Sequence, residues 1–147
     1  MAIKEATKGM YAGHGGPFGA VIVKNGKVVS KGHNKVIKNN DPTQHSEMQA
    51  ITKAGKKLGT FDLRGCDMYA TGEPCPMCLV ATMWANIDNV YYGCTIKDNE
   101  KIGFRDRKFE KIVHIDRSNL KNMHQIDRDA CLELFERYNK MKNKVIY

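Results

Sequence analysis

Cys66-Asp67-Met68-Tyr69-Ala70-Thr71, then Glu73-Pro74-Cys75-Pro76-Met77-Cys78, then Val90-Tyr91-Tyr92-Gly93-Cys94: these three pieces decide the fold of the chain. The first and third are short runs of strand type. The middle piece reads as a helix start, and Leu79, Val80, Met83 and Trp84 carry that helix on. Strand, helix and strand in this order belong to an α/β sheet.

The upstream sequence extends the pattern. Asp41-Pro42-Thr43-Gln44 reads as a helix start, with Asp41 as cap, Pro42 at the first helical position and Gln44 reaching back. Met48, Ile51, Gly55 and Leu58 follow at helical spacing. Phe18–Val23 and Lys27–His33 read as two strands, joined by the hairpin signal Asn25-Gly26. Ala2–Tyr11 is helix-like, with Ile3, Ala6 and Met10 spaced three or four apart. Downstream, Lys111–Ile115 reads as a last strand. Asp127–Tyr138 reads as an amphipathic helix with Ala130, Leu134 and Tyr138 on one stripe, and Cys131 and Phe135 beside it. The whole order implies an α/β sandwich around a mixed sheet.

Composition narrows the function. The chain has 147 residues, the size of one domain. It has neither a run of about 18 apolar residues nor a secretory signal at Met1–Met10, so no membrane span is expected and the cytoplasm is the default. Lys and Arg number 24 against 16 Asp and Glu, a net charge of +8. That invites a nucleic-acid partner. However, Lys outnumbers Arg 18 to 6, whereas bidentate recognition of bases and phosphates favours Arg. The excess therefore reads first as a solvated surface. Five cysteines in a cytosolic chain point to metal or redox chemistry for the close pair, not to disulfides.

Two short motifs carry the chemistry. His45-Ser46-Glu47 falls in the first turn of one helix, and Cys75 and Cys78 in the first turn of another. Positions i and i+3 put both sulfurs on one face, and a helix N-terminus favours thiolates. With His45 these make three ligands and leave a fourth tetrahedral position for water, the catalytic form of a zinc site. Glu47 lies about 200° round the helix from His45, so both serve one site only near the helix start. There it moves protons and does not bind metal. H-x-E followed by P-C-x-x-C is the pattern of zinc-dependent base deaminases. Two other readings stay open: a redox pair, or a structural zinc completed by Cys66, Cys94, His33 or His114. Cys66, Cys94 and Cys131 read as buried inert thiols; His14, His33, His114 and His124 read as surface or satisfied residues.

The motifs resemble the cytidine deaminase superfamily and, within it, the small zinc-dependent bacterial guanine deaminases. The matching stretches are Gly15–Val23, Asn40–Glu47 and Glu73–Cys78, and the similarity covers nearly the whole chain. The resemblance implies a three-layer α/β/α sandwich with a mixed five-stranded sheet, one Zn²⁺ held by His45, Cys75 and Cys78, and Glu47 as the proton carrier. It implies hydrolytic deamination of a purine base, guanine to xanthine and ammonia. Asn34 then binds the base and Phe18 stacks on it, while Asp106, in Gly103-Phe104-Arg105-Asp106, contacts substrate and relays a second proton. Tyr147 reaches a neighbouring subunit's site in a homodimer that swaps about residues 127–147. Residue by residue, Phe18 reads equally as core, Asn34 as a turn and Asp106 as a partner of Arg105 or Arg107. Two departures stand out: a short first helix, and Ser46 where Ala is commoner, which places a hydroxyl near the pocket and its substrate. The rival reading is a tRNA wobble adenosine deaminase, with guanosine or cytosine as other substrates; a non-catalytic zinc module is the rival outside enzymes.

Overall fold

The computed structural model describes residues 1–147. Five strands form one sheet, in the spatial order β2 (Lys27–His33), β1 (Gly19–Lys24), β3 (Cys66–Gly72), β4 (Asn89–Cys94) and β5 (Met123–Gln125). Strand β1 (Gly19–Lys24) returns as β2 (Lys27–His33) through Asn25 and Gly26. Both turn residues are left-handed (φ 50° and 71°), as a type I′ hairpin demands. Strand β3 (Cys66–Gly72) runs antiparallel to β1 and parallel to β4 (Asn89–Cys94). Helix α4 (Pro76–Trp84) is the crossover between β3 and β4. The sheet is therefore mixed, as the sequence order implies.

Alternation along β1 sorts its side chains into two cores. Ala20 and Ile22 join Met68, Ala70 and Val90 against Ala50 and Ala54 of α3 (Ser46–Leu58). Val21 and Val23 face the opposite layer, made by α1 (Ala2–Tyr11) and α7 (Arg128–Asn139). There Met10, Leu134, Phe135 and Tyr138 pack with Phe104 in a second core. The result is a three-layer α/β/α sandwich. Gly32 lets β2 approach α3 closely: a Cβ there would lie 2.6 Å from the Ser46 carbonyl and 2.9 Å from the Ala50 amide.

Two expectations need correction. Lys111–Ile115 is not a strand: α6 (Asp106–Ile112) covers its first half and a turn the rest. A short β-branched run does not distinguish helix from strand by itself, and Phe109, Ile112 and Val113 recur at helical spacing. The fifth strand is β5 (Met123–Gln125), parallel to β4 and nearly devoid of strand-type residues. Flanking bonds hold it to β4, from the Val90 amide to the Asn122 carbonyl (2.9 Å) and from the Ile126 amide to the Tyr92 carbonyl (2.8 Å).

The second correction concerns Asp41. Its carboxylate accepts from the Thr43 amide (2.8 Å) and the Gln44 side chain (2.8 Å), closing a turn in place of capping a helix. Helix α3 begins at Ser46, with His45 as its N-cap. Two further short helices, α2 (Val36–Asn39) and α5 (Ile96–Lys101), fill stretches without a periodic signal.

Candidate metal centre and active site

Both metal-ligand motifs sit at helix N-termini, in extended backbone. His45 is the N-cap of α3 (φ −66°, ψ 158°). Cys75 is the N-cap of α4 (φ −62°, ψ 168°), with Pro76 at the first helical position, where its missing N–H costs nothing. Leaving the helical path at this residue turns each side chain across the helix end, and the two ends face each other. His45 Nδ1 lies 3.5 Å from Cys75 Sγ. The ligand atoms of His45, Cys75 and Cys78 all lie within 4.8 Å of one another.

No other His, Cys, Asp or Glu joins this group, so Cys66, Cys94, His33 and His114 do not complete a structural site. Cys66, Cys94 and Cys131 are buried and free, and burial raises each thiol, Cys131 to about 11. His33 spends one ring nitrogen on His14 (2.9 Å) and turns the other toward Glu5 (3.5 Å).

The donors suit Zn²⁺. Hydrogen bonding with Cys78 outweighs burial and, with His45, holds the Cys75 thiol well below its ordinary value, which favours the thiolate. Burial alone would lower His45, but the bond and charge of Cys75 raise it to about 9. Cys78, bonded to that thiolate and buried, is pushed well up. One imidazole and two sulfurs at two helix N-termini form a soft, partly anionic set of the zinc type.

Two carboxyl groups flank the ligands. Glu47 is only 6% exposed. Its Oε2 accepts from Ser46 Oγ at 2.7 Å, and burial raises its pKa while His45 opposes the rise. Asp106, at the start of α6, lines the cavity with His45 and Cys75. Burial, then the Cys75 charge, raises it. The cavity holds about 460 Å³, and its far wall is Phe104, Phe109, Val113 and Tyr147.

The remaining expected residues fall in different places. Asn34 is buried, and its Oδ1 accepts from the Val36 amide (3.1 Å), fixing the turn into α2. Tyr147 lines the cavity, and its hydroxyl accepts from the Gly16 amide (3.0 Å). The resemblance puts a neighbouring subunit's terminus at such a wall; here the chain's own terminus lies there. Phe18 is not on the cavity wall: it packs edge-on against Phe104 (4.8 Å) and Phe135 (5.5 Å). The Ser46 hydroxyl is likewise turned to Glu47 and is not among the lining groups.

Sequence reasoning missed Arg117. Its guanidinium donates to the Pro74 carbonyl (2.7 Å), pairs with Glu110 and reaches Glu73 (3.5 Å). It thereby clasps the loop just before Cys75. No local motif marks it, because its partners are distant in sequence.

Two cysteine sulfurs and an imidazole at facing helix starts, beside a buried carboxyl group in this sandwich, define the class of zinc-dependent deaminases. Comparison with known proteins agrees. Residues 1–94 match the cytidine and deoxycytidylate deaminase zinc-binding region, and the chain belongs to that family. It is 49% identical over 105 residues to guanine deaminase of Bacillus subtilis, spanning 71% of this chain and 67% of the relative. The X-ray structure of guanine deaminase from Bacillus subtilis superposes with a TM-score of 0.74, at 40% identity over 98% of this chain and 92% of that one. A tRNA-specific adenosine deaminase of Aquifex aeolicus is 42% identical over 97 residues, 66% of this chain and 64% of the relative. The protein is thus a zinc-binding hydrolase of C–N bonds.

Proposed function

We propose that this enzyme hydrolyses guanine to xanthine and ammonia. One observation supports the substrate most directly: the likeness to Bacillus subtilis guanine deaminase spans 98% of this chain, whose own terminus puts Tyr147 on the cavity wall. A terminus folded over the pocket suits a free base better than a base still joined to a polynucleotide.

His45, Cys75 and Cys78 would hold the zinc ion, which when bound would supply a water ionising near neutral pH. Glu47 takes the proton released as oxygen adds to the carbon bearing the amino group. It passes that proton to the neighbouring ring nitrogen and then assists the amine to leave as ammonia. Its burial suits this task, because a raised pKa lets one carboxyl group both hold and release a proton. Asp106 faces the same cavity and shares the proton traffic at the amine. Asn34 orients the base edge; Tyr147 closes the site. Phe18 supports Phe104 from behind, and Ser46 holds Glu47 toward substrate.

The chain acts as one deaminase domain over 1–147, in the cytoplasm, in purine catabolism. No helix is long and apolar enough to cross a membrane. It works as a homodimer joined through the outer face of α4, where Val80, Met83 and Trp84 stand exposed beside Phe61. Exchange of residues 127–147 between copies would seat the same Tyr147 in the partner's cavity.

The test is turnover by the zinc-loaded protein on guanine, guanosine, adenine, cytosine and wobble-adenosine tRNA. Guanine is expected to give xanthine and ammonia, with activity lost to a chelator and restored by Zn²⁺. Inosine formed in tRNA without turnover of guanine would overturn the assignment in favour of the wobble reading, which the Aquifex relative and the +8 charge favour next.

A further inference from the structure

Asp106 has no support from its own helix. Arg105, the N-cap of α6, makes no side-chain cap, and no residue of α6 is fully buried, Asp106 itself being half-buried. The one side-chain donor that holds the Asp106 carboxylate is Asn99, whose Nδ2 lies 2.8 Å from Asp106 Oδ2. Asn99 is 1% exposed, and its other amide atom, Oδ1, is buried without a partner. A buried amide left half satisfied is costly, so what the residue contributes here is its donor.

The backbone of Asn99 does related work. Its carbonyl accepts from the amides of Ile102 (3.2 Å) and Phe104 (3.1 Å). One residue thus fixes both ends of the segment that carries Phe104 and Asp106 into the cavity. Asn99 is itself anchored. Its amide donates to the Thr95 carbonyl (3.0 Å), and the adjacent Asp98 is locked by the Thr95 amide (3.0 Å) and by Arg128 (2.8 Å). A rigid chain of contacts therefore runs from α7 through α5 to one carboxylate oxygen at the active site.

We infer that Asn99 is the positioning residue for Asp106: it holds that carboxylate toward the cavity and, through it, acts on the deamination chemistry. The catalytic part of this inference rests on the proposed role of Asp106; the positioning part rests on geometry alone.

Two experiments test it. In kinetics, Asn99→Ala is expected to lower kcat about 10- to 100-fold, the loss of a hydrogen bond to a charged group, while zinc stays at one per chain. Asn99→Asp, the same size but without the donor and with like charge facing Asp106, should lose at least as much. In a double-mutant cycle, Asn99→Ala added to Asp106→Ala should cost nothing further, because its partner is already gone. An added loss as large as in the wild-type background would make Asn99 merely structural and overturn the inference. The second experiment needs no substrate: crystal structures of zinc-loaded wild type and Asn99→Ala. The Asp106 carboxylate should move by about 1 Å or more, enough to disable a positioned group. An unmoved carboxylate overturns the positioning claim. If guanine is not turned over by wild type, the substrate assignment falls while the crystallographic comparison still decides the role of Asn99.

Discussion

Glu47 is buried beside His45, and one of its carboxylate oxygens accepts from Ser46. A group so placed is useful only if it can change its proton, and the amide isostere cannot. Glu47→Gln should lower kcat by about 10²- to 10⁴-fold, the usual range for a positioned acid–base group. It should leave zinc at one per chain, because Glu47 is outside the ligand set. Metal analysis beside a xanthine assay checks both; loss of the metal together with the activity would make Glu47 a ligand. The ligands and Glu47 were legible because each motif is local: three residues at one helix start and four at another. Asn99 and Arg117 were not, since each acts on a partner brought close only by folding. Asn34 and Tyr147 needed the resemblance, because a buried turn residue and a chain end carry no pattern of their own.

At the level of elements, α3 carries His45 and Glu47 but is set in place by β2. The contact at Gly32 leaves no room for a Cβ against the Ser46 carbonyl and the Ala50 amide. Gly32→Ala should therefore push the start of α3 outward, costing about 1–3 kcal/mol of stability and weakening zinc retention; denaturant melts and a zinc-release assay measure the two. Helix α5 supplies a pH dependence. Burial would raise the Asp98 carboxyl, but bonds from Thr95 and Arg128 outweigh it and hold the group well below the usual carboxylate range. A depressed folded pKa adds stability above the unfolded value of about 3.9, and that contribution is lost as pH falls from there through the folded value. Asp98→Asn should thus lower the melting temperature at neutral pH and flatten its fall between about pH 4 and pH 2. An unchanged acid slope would remove Asp98 from that role. The final strand shows why elements can mislead: Lys111–Ile115 has the composition of a strand, while Met123–Gln125 is one because β4 presents an open edge.

For the whole molecule, the outer face of α4 leaves Val80, Met83 and Trp84 exposed. Trp84 is 79% exposed and Phe61 82%, unusual for side chains whose burial is worth most. Trp84→Glu should weaken the proposed dimer by at least about 30-fold, the scale of a ~2 kcal/mol hot spot. Sedimentation at several concentrations reads this directly, and a wild type that stays monomeric throughout would sink the dimer. By itself the sequence determined the mixed α/β architecture, the hairpin and the three side chains placed to hold a metal. These depend on spacing along a few adjacent residues, and such spacing survives whatever the rest of the chain does. Only the tertiary structure decided which edge the last strand joins, what braces Asp106 and the Cys75 loop, and that Phe18 packs behind the cavity wall while Tyr147 forms part of it. Those outcomes depend on which distant surfaces meet, and the free energy of that meeting belongs to the packed whole rather than to any local stretch.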